Sequence, residues 1–115
     1  MRNHTLFLQD ILQAISRIEF FIAGMDFDGF AADDRTLSAV VRKLEIIGEA
    51  VKHIPEYITH QQPLVPWKQI AGMRDKLIHS YFGVDSHLVW QTVHNRLPEL
   101  KNAVVMLLED ELDKA

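Results

Sequence analysis

The chain has 115 residues, 48 % hydrophobic and 24 % charged, a composition that suits one globular domain spanning 1–115. With no cysteine it forms neither disulfides nor thiolate metal sites, and no apolar run approaches the roughly 20 residues that span a bilayer. A net charge of −4 and a pI near 5.8 exclude a grip on nucleic acid through bulk charge, so any such contact must be local.

In chain order the pattern is helical throughout. Met1-Arg2-Asn3-His4-Thr5 opens directly into an amphipathic stretch, without the apolar core of a signal peptide, and a cytoplasmic location is expected. Leu8, Ile11, Leu12, Ile15, Ile18 and Ile22 recur at helical steps and form one apolar face. Asn3 or Thr5 can cap that helix, and Gly24 can stop it. Met25 to Ala32 is short and mixed, a loop or a helical turn. Asp33 or Asp34 then caps a second long helix through Val40, Leu44, Ile47 and Val51, which Pro55 ends. Pro63 and Pro66 bracket a loop, and Pro66 is placed to start a helix that runs on to Gly83. Asp85 or Ser86 caps the next helix, through Leu88, Val89, Thr92 and Val93. Pro98 kinks or restarts the chain before a last segment through Leu97, Leu100, Val104, Leu107, Leu108 and Leu112. No strand-like alternation or repeat is present, so the expected fold is all-α, an up-and-down helical bundle.

The run Arg74-Asp75-Lys76-Leu77-Ile78-His79-Ser80-Tyr81 concentrates the chemistry. Arginine can offset charge on a phosphate and histidine can move protons near neutral pH, which is what phosphodiester cleavage without a metal requires. On an ideal continuous helix Arg74 and His79 stand about 140° apart, whereas Asp75 and His79, four apart, can touch. Spacing alone therefore also permits a structural ion-pair cluster. If two copies meet across a dimer axis, arginines and histidines of both chains can share one cleft.

Other features have simpler explanations. His53 and His60 are seven apart, as are His87 and His94. That separation gives about 10 Å of helical rise, too far for both members to bind one ion. Trp67 and Trp90 read as core or interface aromatics, and Arg42, Glu45 and Glu49 as an ion-paired helix face. A carboxylate-bridged metal bundle would need Glu-x-x-His pairs; Gly48 and Lys52 follow Glu45 and Glu49 instead.

Three blocks carry a family resemblance. Arg42-Lys43-Leu44-Glu45-Ile46-Ile47-Gly48-Glu49-Ala50 is similar to an R-x-L-E-x-I-G-E-A helix. Trp67-Lys68-Gln69-Ile70-Ala71-Gly72-Met73-Arg74-Asp75 runs into an Arg-x4-His-x-Tyr signature formed by Arg74, His79 and Tyr81. Val84-Asp85, Val89-Trp90 and Leu97-Pro98-Glu99-Leu100 make the third. Together they resemble the HepT toxins of the MntA–HepT (minimal nucleotidyltransferase) toxin–antitoxin systems, within the HEPN ribonuclease superfamily, over nearly the whole chain.

That resemblance implies a helical homodimer, in some cases assembled further, and a metal-independent endoribonuclease acting on messenger or transfer RNA. Arg74 and His79 would be catalytic, with Asp75 and Lys76 in support and Lys68 or Arg42 nearby. Tyr81 would be adenylylated by the partner nucleotidyltransferase antitoxin, which uses ATP and magnesium; the chain itself would need no cofactor. A noncatalytic helical module that dimerises, binds a nucleotide and docks a nucleotidyltransferase is the alternative.

Overall fold

The computed structural model describes residues 3–79 and 83–114, with residues 78 and 79 described as backbone. The frame is three long helices. Helix α1 spans His4–Ile22, α3 spans Asp34–Lys52 and α8 spans Leu97–Asp113, with the short α2, Phe27–Ala32, between the first two. Helix α1 packs against both α3 and α8. Both partners run antiparallel to it: Phe7 near the start of α1 stacks on His53 at the end of α3, and Glu19 near its end meets Lys101 of α8 at 3.1 Å. This is the up-and-down arrangement expected from the pattern, with an all-α core.

Local chemistry explains the ends of these helices. Asn3 caps α1 by accepting from the Thr5 N–H at 2.8 Å, and Gly24, at φ 78°, turns the chain out after it. Asp26 accepts from the Gly29 N–H and starts α2. Asp33, rather than Asp34, caps α3: its carboxylate accepts from the Thr36 hydroxyl at 2.7 Å and from the Thr36 N–H at 3.0 Å. Those two bonds, the hydroxyl's first, hold the Asp33 carboxyl below its ordinary value. Asp85 does the same work for α7, Ser86–Asn95, by accepting from the Leu88 N–H. Pro98 sits in the first turn of α8, where its missing N–H costs nothing.

The apolar faces converge as their periodicity requires. Leu8, Ile11, Ile15 and Ile18 of α1 meet Val40, Leu44 and Ile47 of α3 and Leu100, Val104 and Leu107 of α8, all buried. Phe30 of α2 is buried completely, its ring 5.0 Å from that of Trp90 of α7 at a tilt of 42°. Each such side chain contributes about 1.5–3 kcal/mol relative to exposure. Leu112, the last position of the expected apolar stripe, is 75 % exposed and does not join the core.

The segment after Pro55 contains a one-turn helix, α4, Glu56–Thr59. One expectation fails beyond it: no single helix runs from Pro66 to Gly83. Helix α5, Trp67–Ala71, stops at Gly72; α6, Met73–Leu77, follows at once; then Ile78–His79 (β1) pairs antiparallel with Gly83–Val84 (β2). The Leu77 carbonyl, which a continuing helix would offer to residue 81, instead accepts from the Asp85 N–H at 3.0 Å. Gly83 at φ 79° supplies a left-handed backbone, and β-branched Ile78 fits an extended conformation. Among the described residues these are the only strands. No helix among them is long and apolar enough to cross a membrane.

Candidate functional site

A glycine brings the site together. Gly48 lies in the middle of α3, where a glycine is otherwise unfavourable. A Cβ there would stand 3.2 Å from the Ile70 carbonyl oxygen and 3.3 Å from that of Ala71. Its hydrogen therefore lets the end of α5 rest directly on α3. Trp67 holds the other end of α5 by donating its indole N–H to the Gln62 carbonyl at 3.0 Å. The chain then turns at Gly72, whose N–H closes α5 on the Lys68 carbonyl and whose carbonyl accepts from the Asp75 N–H. Met73 and Leu77 bury the inner side of α6 and leave Arg74, Asp75 and Lys76 exposed.

Arg74 leans over α3. Its Nε–H donates to Glu45 Oε2 at 3.1 Å, and its side chain remains 60 % exposed while that of Glu45 is 28 % exposed. Nε is the atom of this guanidinium that forms a hydrogen bond to a described residue; neither Nη does. Arg74 shares a groove of about 400 Å³ with Arg42, Glu45, Ile46 and Glu49 of α3 and with Phe7 and Asp10 of α1. The groove thus carries two guanidinium groups. Asp75 lies along a neighbouring shallow groove with Arg74, Glu49, Lys52 and Gly72.

The structure separates other residues that the sequence had grouped. Lys76 lies on a different side of α6 and borders an apolar cavity between α5–α6 and α7–α8. Lys68 borders a third concavity with His60 and Trp67, away from Arg74; of the two extra cations considered, Arg42 is the one beside it. The backbone of His79 follows Arg74 in β1, opposite Gly83. Helical spacing therefore does not relate His79 to Arg74 or Asp75: neither the 140° separation nor the four-residue contact of a continuous helix applies. Tyr81, with Ser80, lies outside the described residues.

The ion-paired face assigned to α3 also needs correction. Glu45 pairs with Arg74 of α6 rather than along its own helix, and Glu49 turns to His53 at 3.3 Å and Lys52 at 3.6 Å. Sequence reasoning missed Glu45 as the partner of Arg74 and Gly48 as the point where the helices touch. Both lie in the Arg42–Ala50 block, so the motif contained them, but a motif does not say which element they face. His53, His87 and His94 have ordinary surroundings. His94 packs at a tilt against Trp90, ring centroids 4.2 Å apart, and donates from Nδ1 to its carbonyl at 2.8 Å, His87 meets Phe27 edge-on, and His53 stacks on Phe7. Among the described residues no cluster of His, Asp and Glu has the makings of a metal site.

The described residues thus form a helical bundle in which Arg74, held by Glu45, shares its groove with the Arg42 guanidinium and with the carboxylates of Asp10, Glu45 and Glu49. The profile of the HepT-like ribonuclease family matches residues 11–107. A protein of Thermococcus cleftensis named probable ribonuclease HepT is 49 % identical over 100 residues, covering 87 % of this chain and 91 % of its own. A protein of Caldanaerobacter subterraneus subsp. tengcongensis named as a candidate RNase is 43 % identical over 96 % of this chain and 99 % of its own. Another so named, from Methanocaldococcus jannaschii, is 44 % identical over 98 % and 97 %. The chain belongs to the HepT-like ribonuclease family. No solved structure matches it significantly.

Proposed function

We propose that this chain is a metal-independent endoribonuclease, the toxin of a toxin–antitoxin pair, acting as a homodimer on messenger or transfer RNA. The observation that carries the reading is the exposed Arg74 guanidinium, held at Nε by Glu45 with neither Nη bonded to a described residue, in a chain of this family. Such a fork suits a phosphate diester, which accepts two parallel N–H bonds.

RNA carries its own nucleophile. In the proposed reaction the 2′-oxygen attacks the adjacent phosphorus, His79 or its copy in the second protomer removes the 2′-proton, and the P–O5′ bond breaks. The 5′-oxygen leaves with a proton donated by the same or the second imidazole. The products are a 2′,3′-cyclic phosphate and a free 5′-hydroxyl. Arg74 offsets the charge that grows on the non-bridging oxygens, a contribution of about 3–4 kcal/mol for one such donor. Asp75 orients the site, and Lys76 adds positive charge from the other side of α6. Adenylylation of Tyr81 by a partner nucleotidyltransferase, which consumes ATP with magnesium, would silence it by placing a bulky anion two residues from His79.

The test is end-group analysis of RNA cut by the purified chain in the presence of EDTA, with intact mass measured before and after treatment with the nucleotidyltransferase and ATP. Cyclic phosphate ends and AMP-sized mass increments that vanish in Tyr81→Phe are expected. Products with a free 3′-hydroxyl, or cleavage that persists in His79→Ala, would falsify the mechanism.

A further inference from the structure

The cavity on the far side of α6 from Arg74 has no role in the reaction as written. Ile70, Met73 and Leu77 from α5 and α6, Leu88 from α7, and Leu97 and Leu100 from α8 form its apolar walls. Its volume is about 180 Å³, where roughly 150 Å³ of apolar cavity accommodates one benzene ring. It therefore has room for a single ring system. Two features make it more than a packing gap. Lys76 and Arg96 stand at its border, with no acidic side chain in the lining and no ion-pair partner for either cation among the described residues. Gln69 and Thr92 also reach it. The Gln69 amide has no hydrogen-bond partner among the described residues, and the Thr92 hydroxyl, which donates to the Leu88 carbonyl at 2.8 Å, keeps its acceptor side.

We propose that this cavity receives one unstacked nucleobase of the RNA, beside the nucleotide that is cleaved, while Lys76 and Arg96 hold that nucleotide's phosphates. The proposal rests on the ribonuclease reading. An apolar slot suits the faces of a base, the free amide and hydroxyl suit its edge, and the paired cations suit the anion that a base always brings with it. A phenyl side chain of a protein partner would use the slot but would need neither the amide nor two cations. The helix linking the two sites is short. Arg74 and Lys76 are two residues apart on α6, about 200° round its axis, so one strand draped over this single turn can reach both. It also explains how an acidic chain selects RNA: recognition comes from a shaped pocket and few cations, not from overall charge.

The test uses the full chain with 13C-labelled methionine methyl groups and the four ribonucleoside 3′,5′-bisphosphates, followed by NMR. At least one of them is expected to shift the Met73 methyl saturably, and ribose 3′,5′-bisphosphate, which lacks the base, to bind at least about tenfold more weakly. Thr92→Phe, which fills the slot, should abolish the shift. Lys76→Gln and Arg96→Gln, both at exposed positions, should each weaken it about tenfold without unfolding the chain. A Met73 signal indifferent to all four bisphosphates, or a shift that survives Thr92→Phe, overturns the proposal. So does a shift produced only by an acidic phenylalanine dipeptide, which would assign the slot to a protein side chain. RNA cleavage is assayed separately on the same samples. Cleavage without base binding removes the pocket alone, whereas base binding without cleavage keeps the pocket and removes the ribonuclease reading.

Discussion

Two exposed ion pairs of equal length divide this molecule into two kinds of region. Lys101 meets Glu19 at 3.1 Å across α8 and α1, and Arg74 meets Glu45 at 3.1 Å across α6 and α3. The first lies on a frame of long helices that its own apolar stripes already hold together, so it adds little. The second ties that frame, at α3, to the five-residue α6, which cannot be stable alone. There the pair has a different consequence: it orients a guanidinium. Distance and charge are the same, and the surroundings make one pair ornament and the other positioning.

Breaking each pair separately gives the largest contrast. Arg74→Ala should lower kcat/KM for RNA by about 10²–10³-fold, whereas Lys101→Ala should leave it unchanged, with both variants melting within a few degrees of wild type. Equal losses in the two variants would erase the distinction. Glu45→Ala should fall between them, losing about tenfold or more because Arg74 keeps its charge but not its placement.

The frame responds to a different substitution. Phe30→Ala should cost about 3–5 kcal/mol in urea unfolding, since that ring is fully buried against Trp90, and its effect on cleavage should appear only as lost folded protein. Gly48→Val probes the seam between the regions. Its side chain would press on the Ile70 and Ala71 carbonyls, so about 1–3 kcal/mol of stability and a share of activity should go together. Activity kept at full level in a destabilised Gly48→Val would show that the contact does not aim α6.

The smallest expected effect is that of acid on the α3 cap. The Asp33 carboxyl is held below its ordinary 3.8 by the Thr36 hydroxyl and amide. Its contribution is present above that value and is lost as pH falls through the lower, folded-state value. A modest decline in melting temperature below about pH 4 is expected, with Asp33→Asn keeping the cap but flattening that part of the profile. An unchanged acid profile in Asp33→Asn would remove Asp33 from the acid response.

The long helices and most of their ends were legible in the residues because the information is local. Apolar residues three and four apart define a face, and Asn3, Asp33 and Asp85 each bind an N–H two or three positions along the chain. Arg74 and His79 were legible as candidates for the same reason: residue chemistry and a motif are both read along the chain. The path between them was not. Nothing in residues 66–83 alone shows that Leu77 gives its carbonyl to Asp85, that Gly48 lets α5 settle on α3, or that Glu45, 29 residues earlier, takes the Nε of Arg74. Likewise Lys76 reads as part of the Arg74 cluster until packing sends it to a cavity shared with Arg96. Periodicity reports which side of an element is buried. Which elements meet, and what their exposed charges then face, depends on contacts between distant residues, and those exist only once the chain has folded.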